Sequence, residues 1–368
     1  RAARVAAPQT RTIRKTDAVK DGNETLFHVI NYDQGFVIVS GDRRTVPVLA
    51  YSETGTFELN EAPDGVKHWI DFAQDQIKRV KVKVKKPAKV IDKIWDRYLQ
   101  TGLFITKKAR TAAGCPDPEY FSRGPLVPTR WNQGAGYNHY CPSRSMCDCE
   151  KALVGCGAVA VGQIMAFWRF PNQGRHEAFN WNAMLANQTV ANTCGTLAEG
   201  DRLVARLLND VGEWANSHYY NNPFNCNTYT WSGNLDEAFQ AAGYSNRGNL
   251  INFYDNLESL RGLLRSGFPF ILVGTTCHIY ECSVSEQVAD AHIWVCDGYQ
   301  YSMYYEEVDN GGGRGTFCNG FGYELFHVNW GYQGNWDGWF GSHDFTNGNP
   351  GNTRTYNHWM RAQAYMHP

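Results

Sequence analysis

Gly155-Cys156-Gly157 stands at the head of the apolar run Ala158-Val159-Ala160-Val161-Gly162-Gln163-Ile164-Met165, so a lone thiol sits where a helix should begin. The aligned peptide dipoles of a helix N-terminus favour negative charge, and nearby cations bring a thiol from about 8.5 into a range of roughly 3.5–7.5. A cysteine placed there is a candidate nucleophile, and the flanking glycines are expected to leave room for a substrate backbone to approach the sulfur. Taken alone, the run is better explained by a small buried hydrophobe or half of a disulfide. A base has to be found elsewhere.

It is found downstream in Asp290-Ala291-His292-Ile293-Trp294-Val295-Cys296-Asp297-Gly298, where the residues after His292 read as a buried strand ending in a turn. A third segment follows, His327-Val328-Asn329-Trp330-Gly331-Tyr332-Gln333-Gly334, and Trp131-Asn132-Gln133-Gly134 precedes the cysteine. The order Gln, Cys, His, Asn-Trp supplies an oxyanion donor, a nucleophile, a base and a residue that orients the base, which is what a papain-like hydrolase requires. No single element is specific; the ordered set is.

These residues resemble the streptopain family of bacterial cysteine peptidases, a papain-like group with Gly-Cys-x-Ala-x-Ala-x-x-Gln-Ile-Met, His-Ala-Phe-Val-x-Asp-Gly and His-Val-Asn-Trp-Gly-Trp-Gly-Gly in that order. Gly35-Phe36-Val37-Ile38-Val39-Ser40-Gly41-Asp42-Arg43-Arg44 and Leu49-Ala50-Tyr51-Ser52 look like the inhibitory propeptide of the same family. The resemblance implies a proenzyme in which residues 1–112 form a small α+β inhibitory domain with a C-terminal linker. Residues 113–368 would form an α+β, papain-like catalytic domain, a helical half and an antiparallel β half with the active site between them. It assigns Cys156 as nucleophile and His292 as acid and base. Gln133, with the Cys156 N–H, becomes the oxyanion donor, an interaction worth about 2.7–4 kcal/mol in comparable sites. Asn329 would fix the tautomer of His292, and Trp330 would cover the pair from water. Asn-Trp-Gly reads equally as a turn followed by a core aromatic.

Departures from the pattern fall on the substrate cleft. Ala291 stands where many members have glycine, narrowing that side, and Tyr332 replaces a frequent tryptophan, keeping an aromatic wall. The family's serine-rich substrate loop is replaced by Asn225-Cys226-Asn227-Thr228-Tyr229-Thr230-Trp231-Ser232, so substrate preference transfers least. The resemblance implies protein or peptide substrates with an apolar residue two positions before the scissile bond, and no cofactor.

The remaining composition bounds the alternatives. A chain of 368 residues with 43% hydrophobic and 14% aromatic content is ample for about two domains. A net charge of −1 provides no global field for nucleic acid or membrane. The run Ile77 to Lys86 alternates lysine with valine and reads as a solvated strand or linker edge. Eleven cysteines place the chain in an oxidising compartment, secreted, periplasmic or at a cell surface. Setting Cys156 aside leaves an even number for disulfides, although Cys296 reads as a packing thiol. Cys147-Asp148-Cys149 is too closely spaced for a zinc pair, and Cys277 to Cys282 lacks a second pair, so no metal site is expected. No apolar run approaches the roughly 20 residues that span a bilayer. Asp297 reads as a turn cap, His278 and His327 as packing or surface residues, and Asn310 to Gly315 as a loop too poorly framed to cradle phosphate.

Helices are predicted over Val66–Val80, near Val90–Trp95, from Cys156 to about Arg169, from Gly200 to Ala215, and from Leu235 to Ala242 before Gly243. Strands are predicted around Leu26–Ile30 and Phe36–Val39 and throughout the region after Phe268. The basic, small-residue segment Thr106–Gly114 reads as an exposed linker open to proteolysis, and the apolar preference that the resemblance implies, met there by Phe104 and Ile105, favours self-cleavage after Ile105 or Thr106. Two other function classes fit the same composition. A disulfide-stapled carbohydrate-binding or adhesin module would leave Cys156 structural, and a papain-fold acyl transferase would pass the acyl group to an amine instead of water.

Overall fold

The computed structural model describes residues 11–101, 115–219, 225–275, 291–310, 315–342 and 359–368. The amino-terminal part is an antiparallel meander of β1 (Ile13–Asp21), β2 (Glu24–Tyr32), β3 (Phe36–Ser40) and β4 (Val48–Ser52). Side chains alternate between buried and half-buried in β3, so one face of the meander is turned to the core. Against it lie α1 (Asp64–Lys83) and α2 (Lys89–Thr101). The predicted stripe Val66, Ile70, Ala73, Ile77 and Val80 is buried, joined by Trp69 and Phe72.

The lysine-valine run is not a strand edge over its first seven residues. Residues 77–83 are the last turns of α1, and Val84 is its C-cap. Helical periodicity wins because Ile77 and Val80 extend the buried stripe, while Lys81 and Lys83 complement the negative end of the helix dipole. Lys78 and Lys81 reach Asp21 and Glu24 of the meander.

Residues 115 onward open with β5 (Glu119–Arg123), followed by α3 (Cys156–Trp168), α4 (Trp181–Met184), α5 (Glu199–Trp214) and α6 (Leu235–Ala241). Then come β6 (Asn246–Asn252), α7 (Leu257–Ser266), β7 (Phe270–Thr275), β8 (His292–Asp309), β9 (Thr316–Asn329), β10 (Gly338–Gly341) and β11 (Trp359–His367). The mixed helical and antiparallel architecture expected from the sequence is the one observed. Strand order is β1-β2-β3-β4-β10-β9-β8-β7-β11-β6, with β5 on β8. One sheet thus runs through both parts of the chain, joined where Trp339 and Phe340 of β10 face Tyr51 and Ala50 of β4.

Two apolar cores result. The first contains the amino-terminal residues Phe36, Phe57, Trp69 and Phe72 together with Leu272, Trp294, Phe326, Trp330 and Phe340. The second, with Trp131, Val159, Ile164, Leu207, Leu208, Phe239, Ile293 and Val295, contains no residue before Val127.

Several expectations are corrected by the fold. The segment after His292 does not end in a turn at Asp297-Gly298. β8 continues to Asp309, passing that point with a bulge between Cys296 and Gly298. Asp297 is a buried anchor, accepting hydrogen bonds from the Leu126 and Val127 N–H groups and meeting Nδ1 of His327 at 2.6 Å. His327 is accordingly a specific partner in an ion-pair geometry. Disulfides join Cys115 to Cys318, Cys147 to Cys226 and Cys149 to Cys194, whereas Cys141 and Cys296 are free and buried. Some of the ten cysteines beside Cys156 are thus paired, and Cys296 is a packing thiol as expected. Cys277, Cys282, His278, residues 102–114 and Gly311 to Arg314 lie outside the described residues. Among the described residues no helix is long and apolar enough to cross a membrane, and no group of three or more His, Cys, Asp or Glu side chains is placed to hold a metal.

Candidate active site

Cys156 is the first residue of α3, entered through Gly155 at φ +95°, a conformation that disfavours any side chain. The helix behind it is buried from Gly157 to Ala166, which fixes the position of its N-terminus. The glycines on either side of the thiol make room for this chain itself. A Cβ on Gly155 would come within 3.1 Å of Thr228 Cγ2, and one on Gly157 within 2.8 Å of Thr230 Cβ. The segment through Thr228 and Thr230 thus lies directly on the nucleophile's turn, held by Thr228 Oγ1 donating to the Leu153 carbonyl at 2.5 Å. The Cys147–Cys226 disulfide fastens its start. This loop also places Tyr229 close enough to Cys156 for the thiolate's charge to help push the phenol up to about 12, mainly an effect of burial.

His292 opens β8, paired with Gly274 of β7, and is only 3% exposed. Its ring lies in an aromatic stack, 5.4 Å from Tyr332 and 5.8 Å from Trp294, nearly parallel to both. Ala291 precedes it, partly buried. Nε2 of His292 meets the backbone carbonyl of Trp330 at 3.0 Å.

The Asn329 side chain does not make that bond. Its Nδ2 donates to the Thr129 carbonyl at 2.8 Å and to Oε1 of Gln163 at 2.9 Å, while its Oδ1 accepts from Gly331 N–H at 3.1 Å and from Nε2 of Gln163 at 3.1 Å. Trp330 is buried beside the imidazole and has its own N–H held by Asp337 at 2.8 Å. Gln133 sits next to the chain entering the nucleophile, its carbonyl accepting from Val154 N–H at 3.0 Å, and its side chain lies close enough to the Tyr332 phenol to oppose, in part, the rise that burial imposes on it.

The amino-terminal part reaches into this site. A Cβ added to Gly65, in the first turn of α1, would overlap Cδ2 of His292. The Trp69 indole donates to the Gly341 carbonyl at 2.9 Å and packs edge-on to Phe340 at 5.0 Å. The protonation states follow from the burial of both groups, to which α1 adds the charges of Asp64 and His68. Burial pushes the Cys156 thiol up to about 11, against the lowering effect of N–H groups of Ile293, Gly157 and Cys156 itself, and Asp64 raises it further. Burial pushes His292 down to about 4, opposed by its bond to the Trp330 carbonyl; His68 lowers it and Asp64 raises it. Both groups are therefore neutral at pH 7.

Sequence reasoning located Cys156, His292, Gln133, Asn329, Trp330, Ala291 and Tyr332 in one region, and missed Gly65, Thr129, Gln163 and Asp337. For Gln163 a signal exists: it is the one amide in an otherwise apolar helix. Asp337 lies between Trp336 and Trp339 in the same way, a carboxylate among aromatics.

Comparisons with known proteins identify the family of the chain. Residues 131–340 match the Peptidase C10 family and residues 1–77 match the Spi protease inhibitor family. Streptopain of Streptococcus pyogenes is 23% identical over 365 residues, covering 89% of this chain and 77% of that protein. The thiol protease/hemagglutinin PrtT of Porphyromonas gingivalis is 23% identical over 336 residues, 84% of this chain and 33% of that one. A solved prointerpain A fragment from Prevotella intermedia superposes with a TM-score of 0.56 at 18% identity, covering 98% of this chain and all of the fragment.

Proposed function

We propose, from the premise that the chain belongs to the Peptidase C10 family and is a cysteine peptidase with an inhibitor-type propeptide, that it is a latent endopeptidase. In this reading its amino-terminal part silences the base of the catalytic pair. The observation that carries the reading is the contact of Gly65 with His292, which leaves no room for a side chain. It coincides with a thiol held near 11 and an imidazole near 4. With the cover gone, water and the α3 dipole reach the pair, and a proton can pass from Cys156 to His292.

The thiolate then attacks the scissile carbonyl, Gln133 and the Cys156 N–H take the oxyanion, and His292 protonates the leaving amine. Water, deprotonated by His292, releases the acyl group. Trp330 shields the pair and positions His292 through its carbonyl; Ala291 and Tyr332 border the bound peptide. An apolar side chain two positions before the scissile bond is the expected preference. The boundary between the parts falls near residues 112 and 113, and cleavage occurs in the basic linker before Cys115. Three disulfides support an extracytoplasmic location. Hydrolysis of a casein-type substrate by the clipped chain, with inhibition by a thiol-directed epoxide, tests the reading. Aminolysis outrunning hydrolysis would favour the acyl transferase.

A further inference from the structure

The hydrogen bond that holds His292 leads back to the nucleophile's own helix. The Trp330 carbonyl that meets Nε2 belongs to the peptide unit whose N–H, that of Gly331, donates to Oδ1 of Asn329. Asn329 is in turn locked by Gln163 through two reciprocal amide hydrogen bonds of 3.1 and 2.9 Å. Gln163 is 1% exposed and Asn329 3%. The orientation of both amides is set by backbone partners. The Thr129 carbonyl requires the NH₂ of Asn329, and the Trp131 N–H, at 3.3 Å, requires the oxygen of Gln163. The Thr129 hydroxyl completes that oxygen's set at 3.1 Å.

We propose that Gln163 is a positioning residue for the peptidase reaction, holding Asn329 and, through the Trp330–Gly331 peptide, the imidazole of His292. This rests on the Cys156–His292 reading. Gly331 has φ +80°, so the peptide before it borders a glycine free to change φ, and a flip of that unit is sterically open. A flipped unit would present an N–H to Nε2, forcing the ring proton onto the other nitrogen and leaving no lone pair for the thiol proton. Gly331 N–H bound to Asn329 prevents the flip, and Gln163 keeps Asn329 from turning away. Because Gln163 stands seven positions beyond Cys156 on α3, two helical turns, the same helix that aims the nucleophile also fixes the base across the cleft.

The test uses full-length chains clipped at the basic linker with immobilised trypsin, comparing wild type, Gln163→Met, Gln163→Glu, Asn329→Ala and the Gln163→Met/Asn329→Ala double variant. Active sites are counted by thiol titration, and kcat, KM and the pH profile of kcat/KM are measured. Gln163→Met is expected to lower kcat per active site by about tenfold or more, at near-constant KM, and to move the acid limb of the profile. It should add little in the Asn329→Ala background, since the two act in series. Gln163→Glu keeps the accepting oxygen but sets a second oxygen against Oδ1 of Asn329, so its loss is expected to ease at acid pH, where the protonated carboxyl can donate, and it serves if the methionine variant does not fold. Wild-type kcat and pH profile in a folded Gln163 variant, or multiplicative losses in the double variant, would overturn the proposal. Turnover surviving in Cys156→Ala would instead overturn the catalytic reading beneath it.

Discussion

The nucleophile and the base of this site sit on cores of different ownership. Cys156 heads a helix whose core is built wholly from residues from Val127 onward, whereas His292 is stacked beside Trp294 and Trp330 in a core completed by Phe36, Phe57, Trp69 and Phe72 of the amino-terminal part. Removing the amino-terminal part leaves the core behind Cys156 whole and strips one wall from the core beside His292. Latency is thus imposed on the base side, while the nucleophile side is finished before activation.

The largest effect that separates the two sides concerns the pair itself. Cys156→Ala and His292→Ala should each lower kcat of the clipped enzyme by on the order of 10⁴-fold or more, and the double variant should lose little beyond either single one. Near-normal turnover by either variant would show that the two residues are not a unit.

The comparison sharpens at Gly65. A leucine there cannot coexist with His292 in its present place, so Gly65→Leu should loosen α1 and speed alkylation of Cys156 in the unclipped chain at least tenfold, a change of about 1.4 kcal/mol. A side chain added on the nucleophile side should not do this. Gly157→Ala, which meets Thr230 within its own part of the chain, is expected to lower the melting temperature without raising the alkylation rate. If both variants gave the same gain, the base-side account would fail.

Acid should loosen the same contact. His292 is held neutral, at about 4 against an ordinary 6.5, so the stabilisation it gives the covered state is fully present above pH 6.5 and is lost as pH falls toward 4. Over that window the loss approaches about 3 kcal/mol. The buried carboxyl of Asp337, pushed up to about 7 by desolvation, has the opposite sign. It favours the folded state below pH 7, yet it lies within the catalytic part and is shared by covered and uncovered forms. Clipped Cys156→Ala chains should therefore release the amino-terminal fragment more readily at pH 4.5 than at pH 7.5 in size-exclusion chromatography. His292→Gln should flatten that dependence, and an unchanged slope would exclude His292 as the titrating group.

A smaller effect is expected at the loop that frames Cys156. Replacing Cys147 and Cys226 by serine removes the tie on the segment through Thr228 and Thr230, and should cost about 2–4 kcal/mol of stability. The kcat/KM ratio should fall only severalfold, because Thr228 Oγ1 still holds the Leu153 carbonyl.

What was legible in the sequence follows the same division. The helix at Cys156 announces itself by glycine, cysteine and an unbroken apolar run, and α5 and α6 by amphipathic spacing and the stop at Gly243. The base side was harder to read. β8 passes through Asp297-Gly298, a pair that locally favours a turn, because its buried carboxylate finds two backbone N–H donors and His327 in distant segments. The strands β1 and β6 and the helix α7 were not anticipated; β1 is mostly polar and exposed, so no alternation marks it. Asn329 was found by type and position, but the order of its bonds was not. That the imidazole meets the Trp330 carbonyl while the amide supports the same peptide from behind depends on a one-residue offset that spacing does not encode.

The central claim, that the amino-terminal part keeps both members of the pair neutral, is tested most directly by the pH dependence of Cys156 alkylation in unclipped and clipped chains. The unclipped chain should react slowly at neutral pH, with a single rise toward an apparent pKa near 11. The clipped chain should react rapidly from mildly acidic pH, with its apparent thiol pKa brought below about 7.5 by the ion pair. Superimposable profiles for the two forms would contradict the account.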